Sequence, residues 1–271
     1  MSNPRIASVD VTRVVGRNAV GGDDVVVIEE PLEIRAAWDA AGEPREKSIS
    51  VTMRTPGDDG DLAAGFLFTE GLIHTADDVD SLRHWSSPNV IRVALRNGAR
   101  IDMSKLDRHF YTTSSCGVCG KTSIEALRVA TSSEPKKSQA LTSELIHRLP
   151  LELEAHQAAF RATGALHAAA VFDTNGTLLR CREDIGRHNA VDKVIGSLFL
   201  ERATPLSNTI LMVSSRASFE IVQKAVVAGI PVVASVGAPS TLAVDLAREF
   251  HVTLLGFVRD GRFNVYTGEV E

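Results

Sequence analysis

The stretch TILMVSSRASFEIVQKAVVAGIPVVAS, which occupies residues 209–235, decides the fold class. It predicts an apolar strand at residues 209–213, a helix from Phe219 to Ala228 and a second short strand at residues 231–234. Strands that are apolar throughout and are joined by a helix are typical of a sheet whose two faces are both covered by helices. The stretch therefore predicts an α/β fold.

The same alternation continues on both sides of this stretch. Upstream, the pattern predicts two helices separated at Pro150, and then two strands joined by an Asn175-Gly176 hairpin turn and a further helix. Downstream it predicts a helix, a strand, a turn and a last strand. The predicted helices are residues 142–149, 151–161, 189–201 and 241–250. The predicted strands are residues 167–173, 177–183, 252–257 and 263–266, and the last turn is at residues 259–262. Residues 122–271 are thus predicted to form the main α/β domain.

The amino-terminal part of the chain has a different pattern. Strands are predicted at residues 9–15, 25–35, 48–54 and 90–95, with a turn at 21–24 and a bulge or sheet edge at Pro31. A helix at residues 62–70 is expected to end at Gly71, and the acidic residues Asp58, Asp59 and Asp61 before it are interpreted as helix-start residues rather than metal ligands. Residues 1–113 are predicted to be a smaller antiparallel α+β unit.

The most unusual local sequence is SSCGVCGK, residues 114–121, which separates these two parts. It holds two of the three cysteines of the chain, Cys116 and Cys119. A helix is predicted to begin near Lys121, and both a helix N-terminus and a positive charge favour the thiolate form of cysteine. We therefore interpret residues 114–121 as a catalytic loop with an accessible thiol pair. The C-x-x-C spacing fits a redox disulfide, part of a zinc site or a persulfide carrier, and it does not decide among them.

The composition of the chain limits which partners and which cellular compartment we expect. The chain has 271 residues, 44% of them hydrophobic, and a formal net charge of −5. An acidic protein is not held to nucleic acid by bulk charge. The amino terminus lacks the apolar core of a signal peptide, and the apolar stretch 225–234 is far short of the ~20 residues of a membrane helix. Three cysteines do not form a disulfide framework. We therefore expect a cytoplasmic protein with no nucleic-acid or membrane partner.

Three strand-to-helix junctions are candidates for ligand binding. They are residues 182–193, which are dense in charged, His and Asn side chains, residues 214–218 and residues 235–241. In open α/β sheets, ligands bind beyond the carboxyl ends of strands, often at helix N-termini that favour anions. Serine hydroxyls and arginine, as in Ser215 and Arg216, suit a phosphate or pyrophosphate. His167 and Cys181 are interpreted as structural residues within strands.

Together, these motifs resemble those of the formate dehydrogenase accessory sulfurtransferase family, FdhD. Residues 114–121 resemble the cysteine loop of the family, and EDIGRHNAVDK at residues 183–193 resembles its most distinctive signature. The stretches Ser214–Arg216 and Gly229–Pro231 also fit. The resemblance extends from about residue 48 to the end of the chain.

The resemblance implies a cytidine-deaminase-like α/β fold, a layered sheet with helices on both faces, in a homodimer. It implies that a cysteine desulfurase donates sulfur, that Cys116 carries it as a persulfide and that Cys119 assists or resolves it. The implied acceptor is the molybdenum (or tungsten) bis-guanine-dinucleotide cofactor of the client, formate dehydrogenase, and free guanine nucleotides are expected at the same site. The expected contacts are Phe257, Val258, Arg259, Asp260, Gly261, Arg262, Arg182, Arg187, His188, Ser215 and Arg216. No metal-binding residue is expected.

Three further functions have to be weighed against this resemblance. Zinc-dependent deamination uses H-x-E followed by P-C-x-x-C. Here Ala169 stands two residues after His167, and Ser115 precedes Cys116, so deamination is disfavoured. A cofactor chaperone without catalysis and a dithiol oxidoreductase that uses Cys116 and Cys119 both stay open.

Overall fold

The computed structural model describes residues 5–40, 42–96, 99 and 141–271. The cysteine loop at residues 114–121, with Cys116 and Cys119, lies outside the described residues. So do both boundaries of the predicted division into residues 1–113, 114–121 and 122–271, and this division therefore stays a prediction.

Between residues 5 and 99, the described chain forms six strands, one α-helix and a single 3₁₀ turn. Their bounds are β1 (Ile6–Val15), β2 (Asn18–Val27), β3 (Glu30–Ala40), β4 (Glu43–Arg54), α1 (Asp59–Thr69), the 3₁₀ turn (Ala76–Asp78), β5 (Val79–Trp85) and β6 (Ser87–Leu95). As predicted, α1 is followed by Gly71, whose φ of +69° is left-handed.

From residue 141 onward, helices alternate with strands. The bounds are α2 (Ser143–Ala155), α3 (Ala158–Thr163), β7 (His167–Asp173), β8 (Leu178–Asp184), α4 (Arg187–Leu200), β9 (Thr209–Val213), α5 (Phe219–Val227), β10 (Val232–Ser235), α6 (Thr241–Glu249), β11 (Thr253–Arg259) and β12 (Arg262–Thr267). Within the described ranges, no helix has the length and apolar character needed to cross a membrane.

Strands β7 to β12 form one sheet, in the order β12-β11-β10-β9-β7-β8. β9, β10 and β11 run parallel, whereas β7, β8 and β12 are antiparallel to their neighbours. One face, with Val171 and Leu211, packs in a core that includes α4, α5 and α6. The other face, with Phe172 and Met212, packs against α2. A mixed α/β fold with helices on both faces of this sheet is confirmed, and the cytidine-deaminase-like detail stays a prediction.

The prediction that a helix breaks at Pro150 is wrong. α2 contains Pro150 in its interior and continues to Ala155. Proline removes one backbone hydrogen bond and costs a helix interior ~3 kcal/mol. Leu149 and Leu153, on either side of it, are each only 1% exposed, and their burial against the sheet offsets this cost.

The four strands β3 to β6 form a second sheet, in the order β4-β3-β6-β5. β3 and β6 run parallel, so the prediction of a purely antiparallel unit is wrong. α1 connects the end of β4 to the β5–β6 pair. Because the chain passes through α1 before it returns to this sheet, β6 can lie beside β3 in the same direction. Pro31 lies near the start of β3, which is an inner strand of this sheet, at a position where β3 pairs only with β4, and the register shift in β3 falls at Ile34/Arg35.

The turn predicted at residues 21–24 is also wrong. Gly21 and Gly22 lie within β2, opposite Thr12 and Val11 of β1. The chain reverses at Gly16, whose φ of +63° is a left-handed conformation that glycine adopts at little cost. β1 and β2 therefore form a hairpin of ten paired residues on each strand.

The two sheets are joined through a close crossing of α1 and α4. Gly65 in α1 faces Gly196 in α4, and the backbones are so close that neither position has room for a Cβ. Phe68 and Phe199 stack beside the crossing with ring centroids 4.6 Å apart. One continuous apolar core therefore includes the four-stranded sheet, both helices and one face of the six-stranded sheet.

Candidate functional site

Four strands end at the same edge of the six-stranded sheet, which we call the carboxyl edge. β9, β10 and β11 are parallel, and His167 at the start of β7 pairs with Asp184 at the end of β8. Beyond the strands, Gly237 donates its N–H to the Ser215 carbonyl (3.1 Å), and Phe257 donates its N–H to the Gly237 carbonyl (3.1 Å). Helices α4, α5 and α6 begin here, so the structure brings the three junctions together.

Arg187 and His188 lie at this edge, in the first turn of α4. The buried Nε of Arg187 has no hydrogen-bond partner among the described residues. His188 Nε2 lies 3.1 Å from Ser218 Oγ and 3.8 Å from a carboxylate oxygen of Glu220. Burial and then the charge of Arg187 lower the pKa of His188 to about 4, and the same two causes lower the pKa of His167. The imidazole of His188 is therefore neutral at pH 7.

Most other polar side chains of the signature face the protein interior. Asp184 and Lys193 form an ion pair of 2.7 Å in which both side chains are 0% exposed. Asp184 also accepts hydrogen bonds from the Thr55 N–H (3.2 Å) and from the Asn189 side chain (3.0 Å). A buried charge needs such a full set of partners. These signature residues therefore hold the fold together beneath the carboxyl edge.

A second buried ion pair involves Asp192, the residue of α4 directly before Lys193. Asp192 accepts a hydrogen bond from Thr69 (2.8 Å) and pairs with Lys224 (2.9 Å) of α5. The Lys224 ammonium also reaches Glu70 (3.3 Å). Burial opposes the charged form of Lys224, but Asp192 and Glu70 outweigh it and raise the pKa of Lys224. This network connects α1, α4 and α5.

The two residues before Asp184 also have protein partners. The Glu183 carboxylate accepts hydrogen bonds from two N–H groups at the start of α3, at 3.0 and 2.8 Å. Arg182 donates to Asp61 (2.8 Å) and Ser197 (3.2 Å). A phosphate would have to compete with Asp61 for this guanidinium, and the contact of Arg182 with the cofactor stays a prediction.

Ser215 and Arg216 follow β9 at the carboxyl edge. Ser215 is 6% exposed, and its hydroxyl donates to the carbonyl of Arg216 (3.0 Å), whereas the Arg216 side chain is exposed. A Cβ added at Gly237 would lie 3.0 Å from Arg216 Cα, so glycine lets the second and third junctions approach each other. The contacts of Ser215 and Arg216 with a phosphate stay predictions.

The segment at residues 257–262, which we call the β11–β12 loop, spans the end of β11, the turn at residues 260–261 and the start of β12 at the same edge. Val258 is 0% exposed and packs in the core beneath α2, and its contact with the cofactor stays a prediction. The Arg259 and Arg262 side chains are exposed. Left-handed backbone occurs at Phe257, Asp260 and Gly261. The loop thus presents two guanidinium groups beside the junctions, and its predicted contacts with the cofactor stay predictions.

Similarity to known proteins extends over nearly the whole chain. A sequence model of the FdhD/NarQ family matches residues 27–271, which contain the complete carboxyl edge. The chain belongs to the FdhD/NarQ family. A sulfur carrier protein FdhD from Mycolicibacterium paratuberculosis is 47% identical over 266 residues, which cover 95% of both chains. A sulfur carrier protein FdhD from Sulfurisphaera tokodaii is 42% identical, with 97% of both chains covered.

A solved structure also resembles this FdhD/NarQ family member. The crystal structure of a candidate formate dehydrogenase accessory protein from Desulfotalea psychrophila matches it with a TM-score of 0.75. The two chains are 26% identical, and 98% of each is covered. The family that the sequence motifs indicated is therefore confirmed, and the mixed α/β architecture is shared with a solved structure.

Sequence reasoning missed the residues of this FdhD/NarQ family member that hold the signature in place from a distance. Thr55 and Asp61 lie before and within α1, and Lys224 lies in α5. They bind Asp184, Arg182 and Asp192, respectively. Each carries only a local signal of its own, such as a helix start. The signature itself is an indirect signal of such residues. It holds several acidic and basic side chains in one short segment, and buried charges need partners elsewhere in the chain.

Proposed function

We propose that this FdhD/NarQ family member is a sulfurtransferase that carries sulfur as a persulfide on Cys116, with Cys119 assisting or resolving it. The donor is a cysteine desulfurase. The acceptor is the molybdenum or tungsten bis-guanine-dinucleotide cofactor of formate dehydrogenase. The protein acts in the cytoplasm as a homodimer. The names of its relatives, sulfur carrier proteins and a candidate formate dehydrogenase accessory protein, support the proposal.

The observation that carries the proposal concerns the third cysteine, Cys181. It lies in the middle of β8 and is half-buried. Burial and then the charge of Glu183 raise the pKa of Cys181 to about 11, so about one thiol in ten thousand is ionised at pH 7. Sulfur exchange needs a thiolate with access to its partner. Because the chain has three cysteines, Cys116 and Cys119 remain as carriers.

The loading step is an exchange between a thiolate and a persulfide. The Cys116 thiolate attacks the outer sulfur of the donor persulfide, which forms Cys116–S–SH and releases the donor cysteine as a thiolate. One sulfur–sulfur bond forms while another breaks, so the step needs no oxidant or reductant. In the sequence, Gly117 and Gly120 keep bulk away from both sulfurs.

The carboxyl edge is suited to the anionic phosphates of the acceptor. Arg187 has a buried Nε without a partner in the described part of the chain, and Arg216, Arg259 and Arg262 are exposed at the same edge. Guanidinium groups bind phosphate through paired hydrogen bonds, and helix N-termini add N–H donors. Neutral His188 can donate or accept a hydrogen bond beside them.

Sulfur loading is tested by mass spectrometry after incubation with a cysteine desulfurase and cysteine under non-reducing conditions. We expect a gain of one sulfur atom on the peptide that contains Cys116. The adduct should disappear in Cys116→Ala and persist in Cys181→Ala, because the Cys181 thiol is protonated at neutral pH. An adduct that requires Cys181 would contradict the proposal.

The chaperone and oxidoreductase functions predict different results. A cofactor chaperone predicts that Cys116→Ala still activates formate dehydrogenase fully. A dithiol oxidoreductase predicts a loss of two hydrogens as Cys116 and Cys119 form a disulfide, with no sulfur gained from an active donor.

Arg187→Ala is expected to weaken GDP binding by about tenfold or more, because hydrogen bonds to a charged partner contribute about 1.5–3 kcal/mol. Calorimetry with the full-length chain measures the dissociation constant. Arg248→Ala is the matched control, since Arg248 is also an arginine but is 65% exposed near the far end of α6. Equal affinity in both variants would count against the carboxyl edge as the nucleotide site.

A further inference from the structure

Thr55, the residue that follows β4, has all three of its polar groups bound to the signature segment. Its N–H donates to the Asp184 carboxylate at 3.2 Å, and its Oγ1 accepts a hydrogen bond from the Ile185 N–H at 3.2 Å. Its carbonyl accepts a hydrogen bond from the Lys193 ammonium at 2.9 Å. Thr55 is 0% exposed, so it cannot touch a ligand itself.

The end of β4 provides a second attachment to the same segment. The Asn189 side chain donates to the Met53 carbonyl at 2.8 Å and accepts a hydrogen bond from Thr52 Oγ1 at 3.2 Å. The backbone between Asp184 and Asn189 is therefore tied to β4 at both of its ends. This short backbone segment leads into α4.

Arg187 and His188 lie between the two attachments. The His188 side chain faces the start of α5, where its Nε2 lies 3.1 Å from Ser218 Oγ and 3.8 Å from Glu220. The position of the Arg187 and His188 side chains at the carboxyl edge therefore depends on β4 and Thr55, which hold the backbone beneath them. A hydrogen-bonding site tolerates a displacement of only about 0.5 Å before its geometry is lost.

We propose that Thr55 is a positioning residue, which fixes Arg187 and His188 at the carboxyl edge through Asp184, Ile185 and Lys193. Thr55 thereby sets the affinity of that edge for the phosphate groups of a guanine nucleotide. The choice of ligand rests on the proposed function, whereas the positioning of Arg187 and His188 does not. The four-stranded sheet is then part of the machinery that shapes the binding edge.

Thr55→Val tests this inference, because valine keeps the shape of threonine and removes the hydroxyl that binds Ile185. We expect the GDP dissociation constant of the full-length chain, measured by calorimetry, to rise about tenfold. We also expect the pKa of His188, followed by NMR without nucleotide, to rise from about 4 towards its ordinary value of about 6.5. The pKa should rise as the ring leaves its buried position beside Arg187, with Glu220, Lys224 and Glu70 as the other charged groups that act on it.

Thr267→Val is the matched control. Thr267 Oγ1 is also buried and also accepts a backbone N–H, that of Leu254 at 2.9 Å, and it donates to the Val252 carbonyl at 2.6 Å, but it lies at the opposite edge of the sheet. Thr267→Val should lower the melting temperature at least as much as Thr55→Val while leaving both GDP affinity and the pKa of His188 unchanged. Thr55→Ser, which keeps the hydroxyl, should restore both quantities towards those of the unsubstituted chain.

The following outcomes decide whether Thr55 positions Arg187 and His188 and whether the ligand is a guanine nucleotide. An unchanged His188 titration in Thr55→Val would overturn the positioning role, even if stability falls. If Thr55→Val does not fold, Thr52→Val replaces it, because it removes the milder, half-buried link to Asn189, and it must shift the titration in the same direction. An unsubstituted chain that binds no GDP would overturn the proposed ligand, while the titration would still test the positioning role.

Discussion

Gly196→Ala is expected to destabilise the protein by about 3 kcal/mol, although alanine is intrinsically the better helix former by ~1 kcal/mol. A Cβ at residue 196 would lie 1.9 Å from the backbone oxygen of Asp61 and 2.6 Å from the backbone nitrogen of Gly65. Because both are backbone atoms of α1, the clash is relieved only if α1 and α4 move apart. That movement would open the core shared by the two sheets.

Urea unfolding of the full-length chain measures this change in the free energy of unfolding. Gly60→Ala in the first turn of α1 is the matched control, because a Cβ there meets no atom within 4 Å. This control should be as stable as the unsubstituted chain or more stable by up to ~1 kcal/mol. Comparable stability of Gly196→Ala and Gly60→Ala would contradict the close crossing.

The apolar pattern of the sequence predicts much of the architecture of residues 167–267. β9, with five buried residues in succession, and the hairpin of β7 and β8 are local signals, and each lies close to its predicted range. The parallel pairing of β3 and β6 could not be predicted in the same way, because it depends on contacts between residues about sixty positions apart. The prediction of a helix break at Pro150 is wrong for a related reason, since the packing of α2 on the sheet outweighs a local helix-breaking signal.

The candidate site shows the same division between local and distant information. The strand-to-helix junctions that meet at the carboxyl edge could be located from sequence, because parallel strands present their ends together. The separate roles within the signature could not. Arg187 and His188 face the edge, whereas Asp184 and Lys193 are fully buried. Which residue is buried depends on partners that are distant in the sequence, such as Thr55, whose N–H binds Asp184 and which has no local sequence signal of this role.

Lys193→Met is expected to destabilise the protein by about 4 kcal/mol, because it leaves the Asp184 carboxylate buried without its counter-charge. The two groups are 2.7 Å apart, and neither side chain is exposed. Methionine has a similar volume, so the loss comes from the charge and from the hydrogen bond to the Thr55 carbonyl (2.9 Å) rather than from a cavity. Urea unfolding measures the effect.

Two further variants separate the buried charge from a general effect of removing a cation. In the double variant Asp184→Asn/Lys193→Met no uncompensated charge remains, so we expect it to be more stable than Lys193→Met alone. Arg202→Met removes an equally short ion pair, in which Arg202 and Asp77 are 2.6 Å apart and their side chains are 65% and 59% exposed. We expect this variant to change stability by less than about 1 kcal/mol. If Lys193→Met were as mild as Arg202→Met, water would have to reach Asp184. The carboxylate would then not be the fixed point from which Thr55 and the start of α4 are held.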